Sequence, residues 1–303
     1  MASYSRFTLQ WKAGTTDSGK LMREFLKEKE ISSTALTDIK FKGGSIEANG
    51  REVTVRYVLS DGDLVSVAFP LEELSEGLKG EDIPLVIVYE DDYLIVLNKP
   101  AAMNTIPSRE HPSGSLANGL VGYYEKTGLK ATSHIVTRLD RDTSGLVLVA
   151  KHRHVHHLLS KQQKSGGVNR AYEAFVEGEF TEGVGTIEQP IGRKADSIIE
   201  REVRPDGQYA CTRYHVIGVC RGLFSRVRLR LETGRTHQIR VHLAYIGHPL
   251  LGDDLYGGDV TLIQRQALHC RSLSFYHPFL MKEVSFEAPL PGDMAALLEE
   301  YCN

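Results

Sequence analysis

The chain has 303 residues, 41% of them hydrophobic and 25% charged, with a formal net charge of −3. That is enough apolar material for one or two self-supporting cores and too little global positive charge to hold a polyanion by net charge alone. Cys211, Cys220, Cys270 and Cys302 contain no C-x-x-C pair, which argues against a zinc site or a disulfide framework and for the reduced thiols of a cytoplasmic protein.

Met1 to Gly14 has neither the long apolar core nor the small-residue cleavage pattern of a secretory signal. Nowhere does the sequence approach the roughly 20 apolar residues of a membrane helix. Leu21, Met22, Phe25 and Leu26 recur at helical spacing. Ser32 and Ser33 are candidate caps for a second short helix through Ala35, Leu36 and Ile39. Asn49-Gly50 marks a hairpin turn between Ile46, Ala48 and Val53, Val55. Leu64, Val65 and Val67 form a closing strand after Ser60-Asp61-Gly62. Residues 1–80 thus read as a small α+β unit. Its Lys40, Lys42, Arg51 and Arg56 suit a grip on structured RNA, with a simple packing domain as the alternative.

The acidic stretch Glu72 to Asp82 reads as a linker, after which a larger domain spans 85–303. It opens with LVIVYEDDYLIVLNKP, two β-rich runs around a Glu90-Asp91-Asp92 turn. Helical stretches are expected at 115–126, 152–164 and 239–246. β-Branched runs such as Leu146–Val149 and Phe224–Leu231 lie between Gly and Pro breaks. The fold class is α+β, with a mixed, largely antiparallel sheet and inserted helices.

Charge is distributed unevenly. Arg138–Arg170 is strongly basic, and Arg221–Arg240 holds six arginines with Glu232 as the one acid. Such patches can follow a phosphate backbone on a slightly acidic protein. His152, His154, His156 and His157 share helical faces but have no carboxylate at metal-site spacing, so a solvated, weakly cationic face is expected and no metal. Neither glycine-rich phosphate-loop pattern occurs, nor does a G-x-S-x-G elbow, which leaves little room for nucleotide-cofactor or hydrolase chemistry.

The segment IVTRLDRDTSGLVLVAK, 135–151, carries the strongest signal. If extended, it projects Arg138, Asp140 and Asp142 to one side. Asp142 suits the turn before Gly145, which leaves Asp140 free among arginines. A carboxylate there fits attack on, or stabilisation of, an electron-poor anomeric carbon. No second carboxyl group offers itself as the acid, so the leaving group must already be a good one, as a nitrogen-linked uracil is. A second cluster, TGRTHQIRVHLAYIGHPLLGDDLYG, crowds Arg235, His237, Gln238 and Arg240 into six positions. Arg240 is placed to pair with Asp140, and Arg235 and His237 suit phosphate or ribose. Tyr172, opening a strand after a basic helix, is either core filler or a ring for an extruded base.

Together these motifs resemble the RluA-type RNA pseudouridine synthases. The resemblance rests on TRLDRDTSGL with Ala150-Lys151, RAYEAFVEG, TGRTHQIRVHLAYIGHPLLGD, VYEDDYLIVLNKP and ALHCRSLSFYHP, in the family's order over about 85–289. It implies that Asp140 is the catalytic aspartate, Tyr172 the ring beside the target base and Arg240 the salt-bridge partner. It implies that Arg138 enters the RNA as the uridine flips out, and that Arg235, His237 and Gln238 bind RNA. Residues 1–80 resemble, more loosely, a small ribosomal-protein-like RNA-binding domain. The implied activity is isomerisation of uridine to pseudouridine in RNA by a cytoplasmic monomer without cofactor. Large-subunit ribosomal RNA is the first expected partner and transfer RNA the second. Thr137 stands where the family usually has histidine, which touches RNA contacts or target choice. Ala102 replaces a usual glycine after Lys99-Pro100.

Overall fold

Alternating apolar side chains build the first sheet in the computed structural model, which describes residues 6–73, 77–180 and 182–302. Strands β1 (Thr8–Lys12), β2 (Ser45–Ala48), β3 (Arg51–Glu52) and β4 (Leu64–Ala68) pair antiparallel in the order β1-β4-β2-β3. Ile46, Ala48, Val65 and Val67 face inward against helix α1 (Met22–Glu28) and helix α2 (Ser33–Phe41). Ser32 Oγ accepts the Ala35 N–H at 3.1 Å and so caps α2. The expected hairpin at Asn49-Gly50 is present, but β3 stops before Val53.

The second sheet has ten strands. They are β5 (Ile87–Glu90), β6 (Leu94–Lys99), β7 (His134–Ile135), β8 (Ser144–Ala150), β9 (Val168–Glu177), β10 (Val184–Glu188), then β13 (Cys211–Cys220), β14 (Phe224–Leu231), β15 (Leu268–His277) and β16 (Lys282–Glu287). A separate hairpin pairs β11 (Ile191–Arg193) with β12 (Arg201–Val203). The main order is β10-β13-β14-β9-β15-β8-β6-β5, with β16 on β15 and β7 on β8. The β8–β15 pair is parallel and the other described pairs are antiparallel. The fold is therefore α+β with a mixed, mostly antiparallel sheet. Helices α3 (Leu116–Thr127), α4 (Arg153–Lys164) and α5 (Gln238–Tyr245) fall within a residue or two of the stretches expected from the sequence. No helix among the described residues is long and apolar enough to cross a membrane.

Three expectations need correction. The His152–His157 stretch is not a solvated face: His154 is buried, His152 and His156 are half-buried, and His157 alone of the four is exposed. The His152 ring stacks on Phe7 at 4.0 Å and His154 stacks on Phe69 at 5.3 Å, so α4 is the face on which the N-terminal sheet sits. Burial holds both imidazoles down to about 4. Ion pairs Arg153–Asp38 and Lys161–Glu30, each at 2.8 Å, flank them. The expected linker is no loose tether either. Glu72 accepts the Arg153 N–H at 2.7 Å, and Glu81 donates its N–H to Asn118 O at 3.0 Å. A Cβ at Gly122 would lie 2.2 Å from Glu81 O, so α3 admits this backbone only because glycine faces it. Residues 74–76 of that stretch lie outside the described residues.

The cysteines are the third correction. Cys220, at the end of β13, and Cys302 form a disulfide with Cα atoms 4.6 Å apart, whereas Cys211 and Cys270 are free and buried. The bond follows helix α6 (Gly292–Tyr301), which the sequence reading missed. Met294 and Leu297 of α6 pack with Phe175, Phe224 and Leu251.

Candidate active site

Local packing presents Asp140. Thr137 is wholly buried and its Oγ1 accepts the Leu148 N–H at 2.9 Å, so it anchors the segment to β8 and cannot reach RNA. That removes the direct RNA contact considered for this position. Thr105 clamps the buried Leu139, donating its hydroxyl to Leu139 O at 2.6 Å and accepting the Leu139 N–H at 3.1 Å. The next residues turn rather than extend. The Thr143 N–H bonds Asp140 O at 3.2 Å, and the Asp142 carboxylate pairs with Arg141 at 3.2 Å. Arg138 is exposed and Asp140 partly so. Gly145 then has φ +116°, and a Cβ there would lie 2.4 Å from Cys270 O, so only glycine lets β8 meet β15 here.

Lys99, which the sequence reading did not single out, supports the turn from beneath. Its fully buried ammonium donates to Pro100 O at 2.8 Å, Met103 O at 2.8 Å and Arg141 O at 3.0 Å. Burial pulls its pKa down to about 7 against the opposing charges of Asp142 and Asp140. Ala102, in the loop that Lys99 gathers, has φ +59°, the left-handed conformation that glycine adopts more readily. Arg265 braces the turn from the other side: Nη1 donates to Asp142 O at 3.0 Å, while Nε and Nη2 bond Asp293 of α6 at 2.7 and 2.9 Å.

Opposite Asp140 stands the first turn of α5. Arg240 Nη1 lies 3.7 Å from Asp140 Oδ2, so the expected pair is in reach. The closer partner is Asp253, which the sequence reading missed: Arg240 Nε and Nη2 donate to its two carboxylate oxygens, both at 2.7 Å. Arg240 is 7% exposed and Asp253 wholly buried. Burial works against the guanidinium charge, but the Asp253 hydrogen bonds and the charges of Asp253 and Asp140 outweigh it and raise the pKa. The Tyr256 ring lies 4.9 Å from the guanidinium carbon.

His237, the residue before α5, has φ +56°. Its Nδ1 is 2.8 Å from Tyr256 Oη and its Nε2 is 4.0 Å from Asp140 Oδ2. Burial lowers its pKa, with Asp140 pulling the other way. Gln238 is a fastener of this loop. Its amide oxygen accepts from Thr233 Oγ1 and the Arg235 N–H, and its amide nitrogen donates to Cys211 O and Thr212 Oγ1, at 2.8–3.0 Å. Those bonds occupy the amide inside the protein. Arg235 is exposed and donates Nε to Tyr209 O at 2.9 Å. Tyr172, 3% exposed on β9, accepts from Arg170 Nη1 at 3.0 Å, and burial pushes its phenol well up.

The sequence-derived residues Arg138, Asp140, Tyr172, Arg235, His237, Gln238 and Arg240 all line one cavity of about 660 Å³. Arg170, the first residue of RAYEAFVEG, lines it too, although the sequence reading gave it no role. Asp253 and Tyr256 lie in GDDLYG, at the end of the motif that carries Arg240, and their distance along the chain hid their role. Among the described residues, no group of three or more His, Cys, Asp or Glu side chains can hold a metal.

The profile of the RNA pseudouridylate synthase family matches residues 93–245. Among curated proteins, the chain is 55% identical to the uncharacterized RNA pseudouridine synthase YjbO of Bacillus subtilis, over 92% of this chain and 98% of that one. It is 40% identical to ribosomal large subunit pseudouridine synthase D of Vibrio parahaemolyticus, over 84% and 82% of the two chains. Among solved structures, human RNA pseudouridylate synthase domain containing 1 superposes with a TM-score of 0.59 at 26% identity, covering 72% of this chain and 89% of that one. The cavity thus sits on a known scaffold, with the loop that carries Asp140 and the helix that carries Arg240 both inside the matched span. The chain belongs to the RNA pseudouridine synthases, of the RluA type, and is an isomerase acting on RNA.

Proposed function

We propose that Asp140 is the catalytic carboxylate, and that the substrate is large-subunit ribosomal RNA in the first place, with transfer RNA as the second candidate. One observation carries the first part: at the wall of an open cavity, Asp140 stands 3.7 Å from an arginine that a second, buried carboxylate already holds rigid. A fixed cation beside a partly exposed anion orients it without burying it. The 40% identity to a ribosomal large subunit pseudouridine synthase supports the choice of RNA.

In this reading the target uridine leaves its stack, at a cost of a few kcal/mol, and enters beside Tyr172 while Arg138 takes its place in the RNA. Asp140 promotes cleavage of the N1–C1′ bond, either by bonding to the sugar or by taking a sugar proton. The freed uracil turns within the cavity and rejoins C1′ through C5. The C5 proton is lost and N1 gains one, so atoms and electrons balance without a cofactor. Tyr172 is a poor proton acceptor for that last step, because burial keeps the phenol protonated against the opposing pull of the Arg170 charge; its contribution is the ring face. Arg235 and His237 contact phosphate or ribose. Residues 1–80 add an RNA-binding surface, and the protein works in the cytoplasm as a monomer.

Asp140→Asn and Asp140→Ala, incubated with total unmodified RNA and mapped for pseudouridine, should yield none. Full activity in both would overturn the assignment. Comparing pseudouridine maps of ribosomal and transfer RNA from cells with and without the protein identifies the substrate.

A further inference from the structure

A second cavity, of about 370 Å³, adjoins the first across Gly234, Arg235 and Thr236, which line both. Its other wall is the β11–β12 hairpin, through Arg193 and Arg201. Arg138, Arg170, Arg193, Arg201 and Arg235 together line the two cavities. Among the described residues none of them has a carboxylate within ion-pair distance, whereas the neighbouring Arg141 and Arg240 do.

Three of these five are held by neutral oxygens instead. Arg201 Nη1 donates to Ile199 O and Glu200 O, both at 2.9 Å; Arg235 Nε donates to Tyr209 O at 2.9 Å; Arg170 Nη1 donates to Tyr172 Oη at 3.0 Å. Carbonyl and hydroxyl partners fix a guanidinium without cancelling its charge, so the cations are preorganised and uncompensated. The one acid in the second cavity, Asp206, is paired with Arg204 through two hydrogen bonds. Fixed positive charge of this kind suits a polyanion that follows the groove.

We propose that the second cavity binds the phosphodiester next to the target nucleotide, with Arg193, Arg201 and Arg235 as its ligands. The strand then passes from the Asp140 cavity over Thr236 to the β11–β12 hairpin, and the hairpin sets which flanking backbone geometry is accepted. The inference rests on the reading of Asp140 as the catalytic centre only for its direction; its test measures binding.

The full chain is titrated with a fluorescein-labelled oligouridylate of about ten nucleotides, by anisotropy, from about 50 to about 300 mM KCl. Each phosphate contact to a single strand contributes about 0.7 to the slope of log affinity against log salt. Arg193→Gln with Arg201→Gln should therefore flatten that slope by about 0.7, the loss of one phosphate contact, and weaken low-salt binding by up to about tenfold. Arg193→Gln alone, which breaks no hydrogen bond of this side chain, should flatten it by about half as much. The comparison is Arg228→Gln with Arg230→Gln, an equal loss of charge on exposed β14 positions on the opposite side of the strand from Leu231. An unchanged slope in both groove variants, or an equal change in the β14 variant, overturns the proposal. Either result leaves the Asp140 assignment standing, and loss of that assignment through an active Asp140→Asn would leave the slopes unaffected.

Discussion

At the scale of single residues, the arginine that stands beside Asp140 is itself held. Arg240 gives two hydrogen bonds to Asp253 and leaves one nitrogen toward Asp140. Asp253→Ala strands a buried guanidinium, and breaking such a pair costs about 3–5 kcal/mol. We expect a corresponding fall in urea midpoint, with turnover reduced by about a hundredfold in the protein that remains folded. Oligouridylate binding should be largely kept, because the groove arginines are untouched. Retained turnover in a destabilised Asp253→Ala protein would show that Asp253 serves stability alone. Asp253 was not legible from the sequence because an aspartate after glycine reads as a turn former. Asp140 stood out, because Asp142 suited the turn before Gly145 and left Asp140 free among arginines.

At the scale of elements, the turn that carries Asp140 depends on β8 approaching β15 through Gly145. Gly145→Ala places a methyl group against the Cys270 backbone and asks alanine to adopt φ +116°. A main-chain clash cannot be relieved by a rotamer change, so we expect destabilisation of more than about 3 kcal/mol or failure to fold, read by chemical denaturation. A stable, active Gly145→Ala enzyme would contradict the close approach. Periodicity placed α3, α4 and α5 well because each pairs an apolar stripe with a recognisable boundary. It missed α6, whose start lies in the proline-rich APLPGD and whose stripe, Met294 and Leu297, is short. It misjudged α4's histidines for a different reason. Imidazole reads as polar in a pattern, yet here two rings pack as aromatic surface.

For the whole molecule, that packing couples acidity to the fit between the two sheets. His152 and His154 have folded pKa values of about 4, against an unfolded value near 6.5. The folded state excludes a proton that the unfolded chain takes up between those values. Stability is therefore full above pH about 6.5 and declines as pH falls toward 4, each histidine contributing a slope of up to about 1.4 kcal/mol per unit. His154→Phe keeps the stack on Phe69 and removes the titration, so the fall in Tm between pH 7 and 5 should be shallower than in the parent protein. An identical pH profile would mean that His154 is protonated or exposed in solution. The turn signals and the shift in charge around residue 80 were legible in the sequence. The docking was not, because it rests on side chains 70 to 150 positions apart, such as Phe7 with His152 and Phe69 with His154.

The brace from Asp293 through Arg265 to the Asp142 carbonyl has a bearing on biosynthesis. Domains take shape as the chain leaves the ribosome, N-terminal parts first, and Asp140 emerges long before α6 does. A nascent chain that already displays the carboxylate, its guanidinium neighbour and the cavity still lacks the strut that stops the turn from wandering. The turn that carries Asp140 is therefore complete only once α6 has packed against Arg265.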